Sequence, residues 1–79
     1  MITLEHAPGR PSDIHGDTHD PVVLLWHGME PDQRGLLAPL AQTLVDAGWS
    51  VVVPDWDSSA ADGGRADLLG SARLARELL

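Results

Sequence analysis

A chain of 79 residues admits at most one small domain, because at this size folding buries only about 60% of the unfolded surface. With 43% hydrophobic and 22% charged residues, it has the composition of a folding sequence. The net charge of −7 sets twelve acids against five bases, all arginine, which excludes the basic footprint of a nucleic-acid binder and disfavours an anionic lipid surface.

No run approaches the ~20 apolar residues needed to span a bilayer, so no membrane association is expected. Met1-Ile2-Thr3-Leu4-Glu5-His6 has neither a basic region nor an apolar run of secretory type, and a cytoplasmic location is the default expectation. The absence of cysteine removes disulfides, thiolate nucleophiles and cysteine-ligated zinc.

In chain order, Ile2 and Leu4 alternate with Thr3 and Glu5 as in a half-exposed strand, which Ala7-Pro8-Gly9-Arg10-Pro11 interrupts with turn chemistry. A second strand around Ser12–His15 would close an N-terminal hairpin, followed by the polar loop Gly16–Pro21. Val22-Val23-Leu24-Leu25-Trp26 is apolar on both faces, as a central strand covered by helices requires.

Beyond the polar turn His27–Gly35, apolar residues at Leu36, Leu37, Leu40, Ala41, Leu44 and Val45 define one stripe of a helix, with Gly48 suited to end it. Pro39 is tolerated only in a first turn, so this helix should begin near Leu36. Ser50-Val51-Val52-Val53-Pro54 then gives a second β-branched strand, and strand, helix, strand in this order forms a parallel βαβ unit. After the small-residue loop Asp57–Gly64, Leu68, Leu69, Ala72, Ala75 and Leu79 recur at helical spacing; the apolar finish Glu77-Leu78-Leu79 reads as interruption rather than termination. The fold class is therefore α/β, a hairpin and loop over residues 1–20 followed by β-α-β-α over residues 21–79, as a single incomplete domain.

Val22–Gly28 delivers His27-Gly28 to the C-terminal end of a strand, where parallel α/β sheets place their ligand sites. A glycine there allows a sharp turn whose next amide hydrogen can point into a cleft, although an ordinary strand-to-loop turn has the same sequence. His15, Asp17 and His19, with Asp20, make a His-x-Asp-x-His pattern whose alternate residues could project together as metal ligands. Its spacing matches no site with a mechanism, and turn composition accounts for it, so no metal is expected. Asp55 and Asp57 flank Trp56 at a strand end and read as loop-capping or solvated acids ahead of functional ones. Gly63-Gly64 lacks the spacing of a phosphate loop, and Trp26, Trp49 and Trp56 read as core or cleft-wall residues.

Pro21–Met29, the helix Leu36–Ala47, Gly48–Asp55 and the helix from Gly64 together resemble the start of α/β-hydrolase fold proteins, in the esterase, lipase and dienelactone-hydrolase-like group. In that family the loop after the third strand supplies one oxyanion-hole amide, and the residue after the nucleophile in a G-x-S-x-G elbow supplies the other. The resemblance implies that Met29 donates its backbone N–H, with its side chain lining the acyl pocket, while Gly28 and His27 form the turn and His27 is structural, distinct from the triad histidine. The sequence departs from the glycine-rich His-Gly-Gly-Gly form. No Gly-x-Ser-x-Gly occurs, and Ser12, Ser50, Ser58, Ser59 and Ser71 sit in no elbow context.

The expected function is that of an N-terminal α/β-hydrolase portion whose complete form would hydrolyse carboxylic esters or related acyl bonds by nucleophilic catalysis, with a small ester-like substrate, no cofactor and no identified protein partner. The portion alone is expected to be inert. The rival reading is a small complete α/β binding or assembly module without catalysis.

Overall fold

A computed structural model describes residues 1–17 and 20–78 of the chain. The elements are β1 (Ile2–Ala7), β2 (Arg10–His15), β3 (Val22–Leu24), α1 (Arg34–Asp46), β4 (Ser50–Pro54) and α2 (Arg65–Glu77). They form one four-stranded sheet in the order β1-β2-β4-β3, with β1 and β2 antiparallel, β2 and β4 antiparallel, and β3 and β4 parallel. The expected hairpin and mixed α/β class are present. Both hairpin strands are longer than the alternation suggested, because the break shrinks to a turn at Pro8-Gly9 and Pro11 enters β2 opposite Glu5. The register of β1 shifts between Glu5 and Ala7. Ile2 and Leu4 stay 63% and 43% exposed on the edge strand β1.

The central strand with both faces covered is β4, in which every residue is buried. Val52 packs with Ile14, Ala75, Val22, Leu24, Leu74 and Leu78, on the face covered by α2. Val51 and Val53 pack with Ala41, Leu25, Leu37, Leu44 and Val45, on the face covered by α1. Burial of each valine stabilises by about 1.5–3 kcal/mol, so this strand anchors both cores. The run Val22–Trp26, expected as a central strand, instead supplies β3 at the sheet edge. Its pairing covers Val22 to Leu24, extended by the Leu25 N–H donating to Val52 O, and its residues are half-buried because only one neighbour is present among the described residues.

Helix α1 begins at Arg34, two residues before the expected start, so Pro39 lies in its sixth position rather than in a first turn. The N–H that Pro39 lacks would have bonded Gly35 O, and both residues are exposed, so that carbonyl can be solvated. The other end matches the sequence reading. Gly48 at φ 98° donates to Val45 O while Trp49 donates to Leu44 O, the paired bonds of a Schellman cap. Among the described residues no helix is long and apolar enough to cross a membrane.

Candidate functional site

The turn after β3 begins with His27, which is only 4% exposed and lies under Trp56, ring centroids 5.9 Å apart. Its Nδ1 is 2.6 Å from Gly28 O, and because a carbonyl oxygen only accepts, Nδ1 carries a hydrogen. Its Nε2 is 3.0 Å from Asp55 Oδ1, with the Trp56 backbone N–H at 3.3 Å. The Trp56 indole N–H donates to His27 O at 2.9 Å. Both carbonyl oxygens of this turn are therefore held by fixed donors.

Asp55, expected as a loop-capping or solvated acid, is buried and binds Arg10 through Oδ2 at 3.1 Å. Arg10 also reaches Asp67 at 3.2 Å and Asp57 at 3.6 Å, tying the hairpin to the exit of β4 and the first turn of α2. Its hydrogen bond to Asp55 leads the causes that raise the guanidinium pKa further. Asp57 does cap its loop. It accepts from the Ser59 hydroxyl and N–H at 2.6 and 2.9 Å, and the Ser59 hydroxyl leads the causes that lower its carboxyl pKa.

Gly28 has no positive φ, so freedom at a sharp turn is not what selects glycine; a Cβ there would stand 2.9 Å from Gln33 Oε1. Met29 is 76% exposed, and its carbonyl accepts from Ser58 Oγ at 2.9 Å. Its N–H has no acceptor among the described residues, and its side chain stands in the open. The loop beyond is braced by Arg34, which grips both oxygens of Asp32 at 2.7 and 2.9 Å and reaches Asp13 on β2 at 2.8 Å. The Arg34 hydrogen bonds hold the Asp32 carboxyl below the usual range. Asp32 has φ 30°, a conformation rare outside glycine.

Ligand atoms of His27, Asp32 and Asp55 lie within 4.8 Å of one another, a grouping the sequence pattern did not suggest. Both carboxylates are already engaged by arginine, which supplies the charge a cation would bring. Of the His-x-Asp-x-His pattern, His15 is half-buried at the end of β2 and Asp17 is exposed, while His19 lies outside the described residues. Gly63-Gly64 serves backbone geometry. Gly64 has φ 89° and packs so closely on Trp56 that a Cβ would lie 2.7 Å from its ring, while Asp62 accepts the N–H of Gly64 and Ala66 at 2.9 Å.

Trp26 and Trp49, expected as core or cleft wall, are 47% and 41% exposed, and only Trp56 joins the site. One serine does lie beside a histidine, an arrangement missed in the sequence because it spans the hairpin. Ser12 Oγ is 2.6 Å from His6 Nδ1, but Ser12 is fully buried, where no acyl substrate can reach it. No family model matches the chain, and neither a curated protein nor a solved structure matches it.

Proposed function

We propose that the chain carries the oxyanion-hole half of an α/β-hydrolase-type acyl-transfer site, with the Met29 N–H as donor, completed in the parent protein by a nucleophile, an acid and a histidine that these 79 residues lack. The observation that carries the reading is the placement of α1 and α2 on opposite faces of a sheet whose edge strand is β3. A right-handed crossover from β3 through α1 moves inward to β4. A right-handed crossover leaving β4 through a helix on the other face must move the opposite way, past β3 to its open edge. A parallel strand continuing from α2 would pair there, making the C-terminal end of β3 the topological switch point at which α/β sheets bind ligands. The Met29 N–H, which has no acceptor among the described residues, lies in the turn that follows that end.

The substrate class is a carboxylic ester or related acyl compound, and the chain's contribution is electrostatic: a fixed N–H dipole that stabilises charge developing on the carbonyl oxygen. The test is expression of the chain together with the sequence encoded downstream of Leu79, assayed with p-nitrophenyl esters. Met29→Leu keeps the N–H and should leave kcat nearly unchanged, whereas Met29→Pro removes it and should lower kcat by about 10²–10³. Circular dichroism controls for distortion by proline. A folded Met29→Pro protein with normal kcat, or an extended chain without esterase activity, refutes the proposal.

A further inference from the structure

The Gly28 carbonyl and the Met29 N–H belong to one peptide unit, and a trans peptide is planar, with its C=O and N–H pointing in opposite directions. No cis peptide occurs among the described residues. Whatever holds Gly28 O therefore also aims the Met29 N–H. The group holding it is the His27 ring, through Nδ1–H at 2.6 Å. On its other side Nε2 lies 3.0 Å from Asp55 Oδ1, to which it donates when it too carries a hydrogen, and 3.3 Å from the Trp56 N–H, from which it accepts when it does not; Asp55 is in turn held by Arg10 at 3.1 Å. The Trp56 indole fixes the preceding carbonyl, so two successive peptide units are locked, and the Met29 N–H is left without an acceptor among the described residues, as is the Gly28 N–H of the preceding unit.

We infer that His27 is the positioning residue of this turn: its Nδ1–H clamps the Gly28 carbonyl and so aims the Met29 N–H outward, with Asp55 and Arg10 holding the ring in place. The inference rests on the oxyanion role proposed for Met29, but the clamp exists independently of activity. It assigns a function to a histidine otherwise read as a turn residue. It also makes the N-terminal hairpin part of the site, because Arg10 begins β2. Orientation matters energetically, since a misplacement of about 1 Å can cost roughly 10²-fold in rate.

Side-chain ¹⁵N NMR on the 79-residue chain tests the clamp directly. The expected result is a protonated His27 Nδ1 with scalar coupling across the hydrogen bond to the Gly28 carbonyl carbon; an unprotonated Nδ1 overturns the inference. The residual dipolar coupling of the Met29 N–H should be lost or averaged in His27→Phe and retained in His27→Asn, whose amide can replace the Nδ1 donor. A Phe variant with the wild-type coupling also overturns it, and if that variant does not fold, the wild-type Nδ1 measurement still decides. In the extended protein, His27→Phe should lower kcat by about 10²-fold with KM little changed. A coupled Nδ1 in an extended chain without esterase activity upholds the clamp while refuting the proposed function. An active esterase indifferent to His27→Phe refutes the clamp and keeps the function.

Discussion

Replacing Asp55 by alanine strikes the point where the hairpin, β4 and the His27 turn meet. The carboxylate is 9% exposed, accepts from Arg10 at 3.1 Å and lies 3.0 Å from His27 Nε2. Removing one member of a buried pair costs about 3–5 kcal/mol when it strands an uncompensated charge. Here Arg10 keeps Asp67 at 3.2 Å and Asp57 at 3.6 Å, and it is itself 32% exposed, so its charge stays balanced. What is lost is one charge-assisted hydrogen bond and the support of a buried imidazole, about 2 kcal/mol. In a domain of this size, a loss of that order lowers Tm by roughly 8–16 °C. Urea titration read by tryptophan fluorescence measures the change, with Trp56 reporting from beside His27. Asp57→Ala, which removes a more exposed carboxylate from the same arginine together with its cap on Ser59, should lower the midpoint less. If the Asp55→Ala midpoint is no lower than that of Asp57→Ala, the buried network does not hold the turn.

The same Gly→Ala change should act with opposite sign in the two helices: a Cβ at Gly70 would lie 2.8 Å from His6 O, whereas one at Gly35 meets nothing within 4 Å. Overpacking at about 1–3 kcal/mol outweighs a helix-propensity gain of at most ~1 kcal/mol, so Gly70→Ala should have a lower urea midpoint than Gly35→Ala, and equal stabilisation of both would refute the packing. Burial of His6 lowers its pKa from 6.5, so the fold favours the neutral ring. The unfolded chain then takes up the proton first, and stability, full above about pH 6.5, falls as pH drops below it. Urea midpoints measured between pH 7.5 and 5 should show this slope, and His6→Phe should abolish it; an equal slope in the variant refutes the assignment. A fluorophosphonate probe should label no serine of the chain, including the buried Ser12 beside His6, and stoichiometric labelling detected by mass spectrometry would contradict the absence of a nucleophile.

Element type was legible wherever local periodicity decided it. The β-branched run Val51–Val53 forms a strand, with Val51 and Val53 packed against the helical stripe Leu37, Ala41, Leu44 and Val52 on the opposite face, as strand and helix spacing implied. Pairing order was not legible, because nothing in Val22–Trp26 or Ser50–Pro54 says which lies at the edge; two helices on opposite faces bury β4 more completely than β3. The start of α1 was misplaced because Pro39 was weighed as a first-turn residue, while exposure of Gly35 makes an interior proline tolerable. At the site, His27-Gly28-Met29 stood out by position at a strand end. Asp55 was undervalued because its partners, Arg10 and His27, are 45 and 28 residues away, and such pairs leave no local pattern.

The most direct measurement is a crystal structure of the extended protein inactivated by an organophosphate ester, whose phosphoryl oxygen mimics the oxyanion. If Met29 is a donor, its amide nitrogen should lie about 2.7–3.1 Å from that oxygen, opposite the amide that follows the nucleophile. A Met29 nitrogen turned away from the phosphoryl group, or bonded to another acceptor in the completed protein, would contradict the assignment.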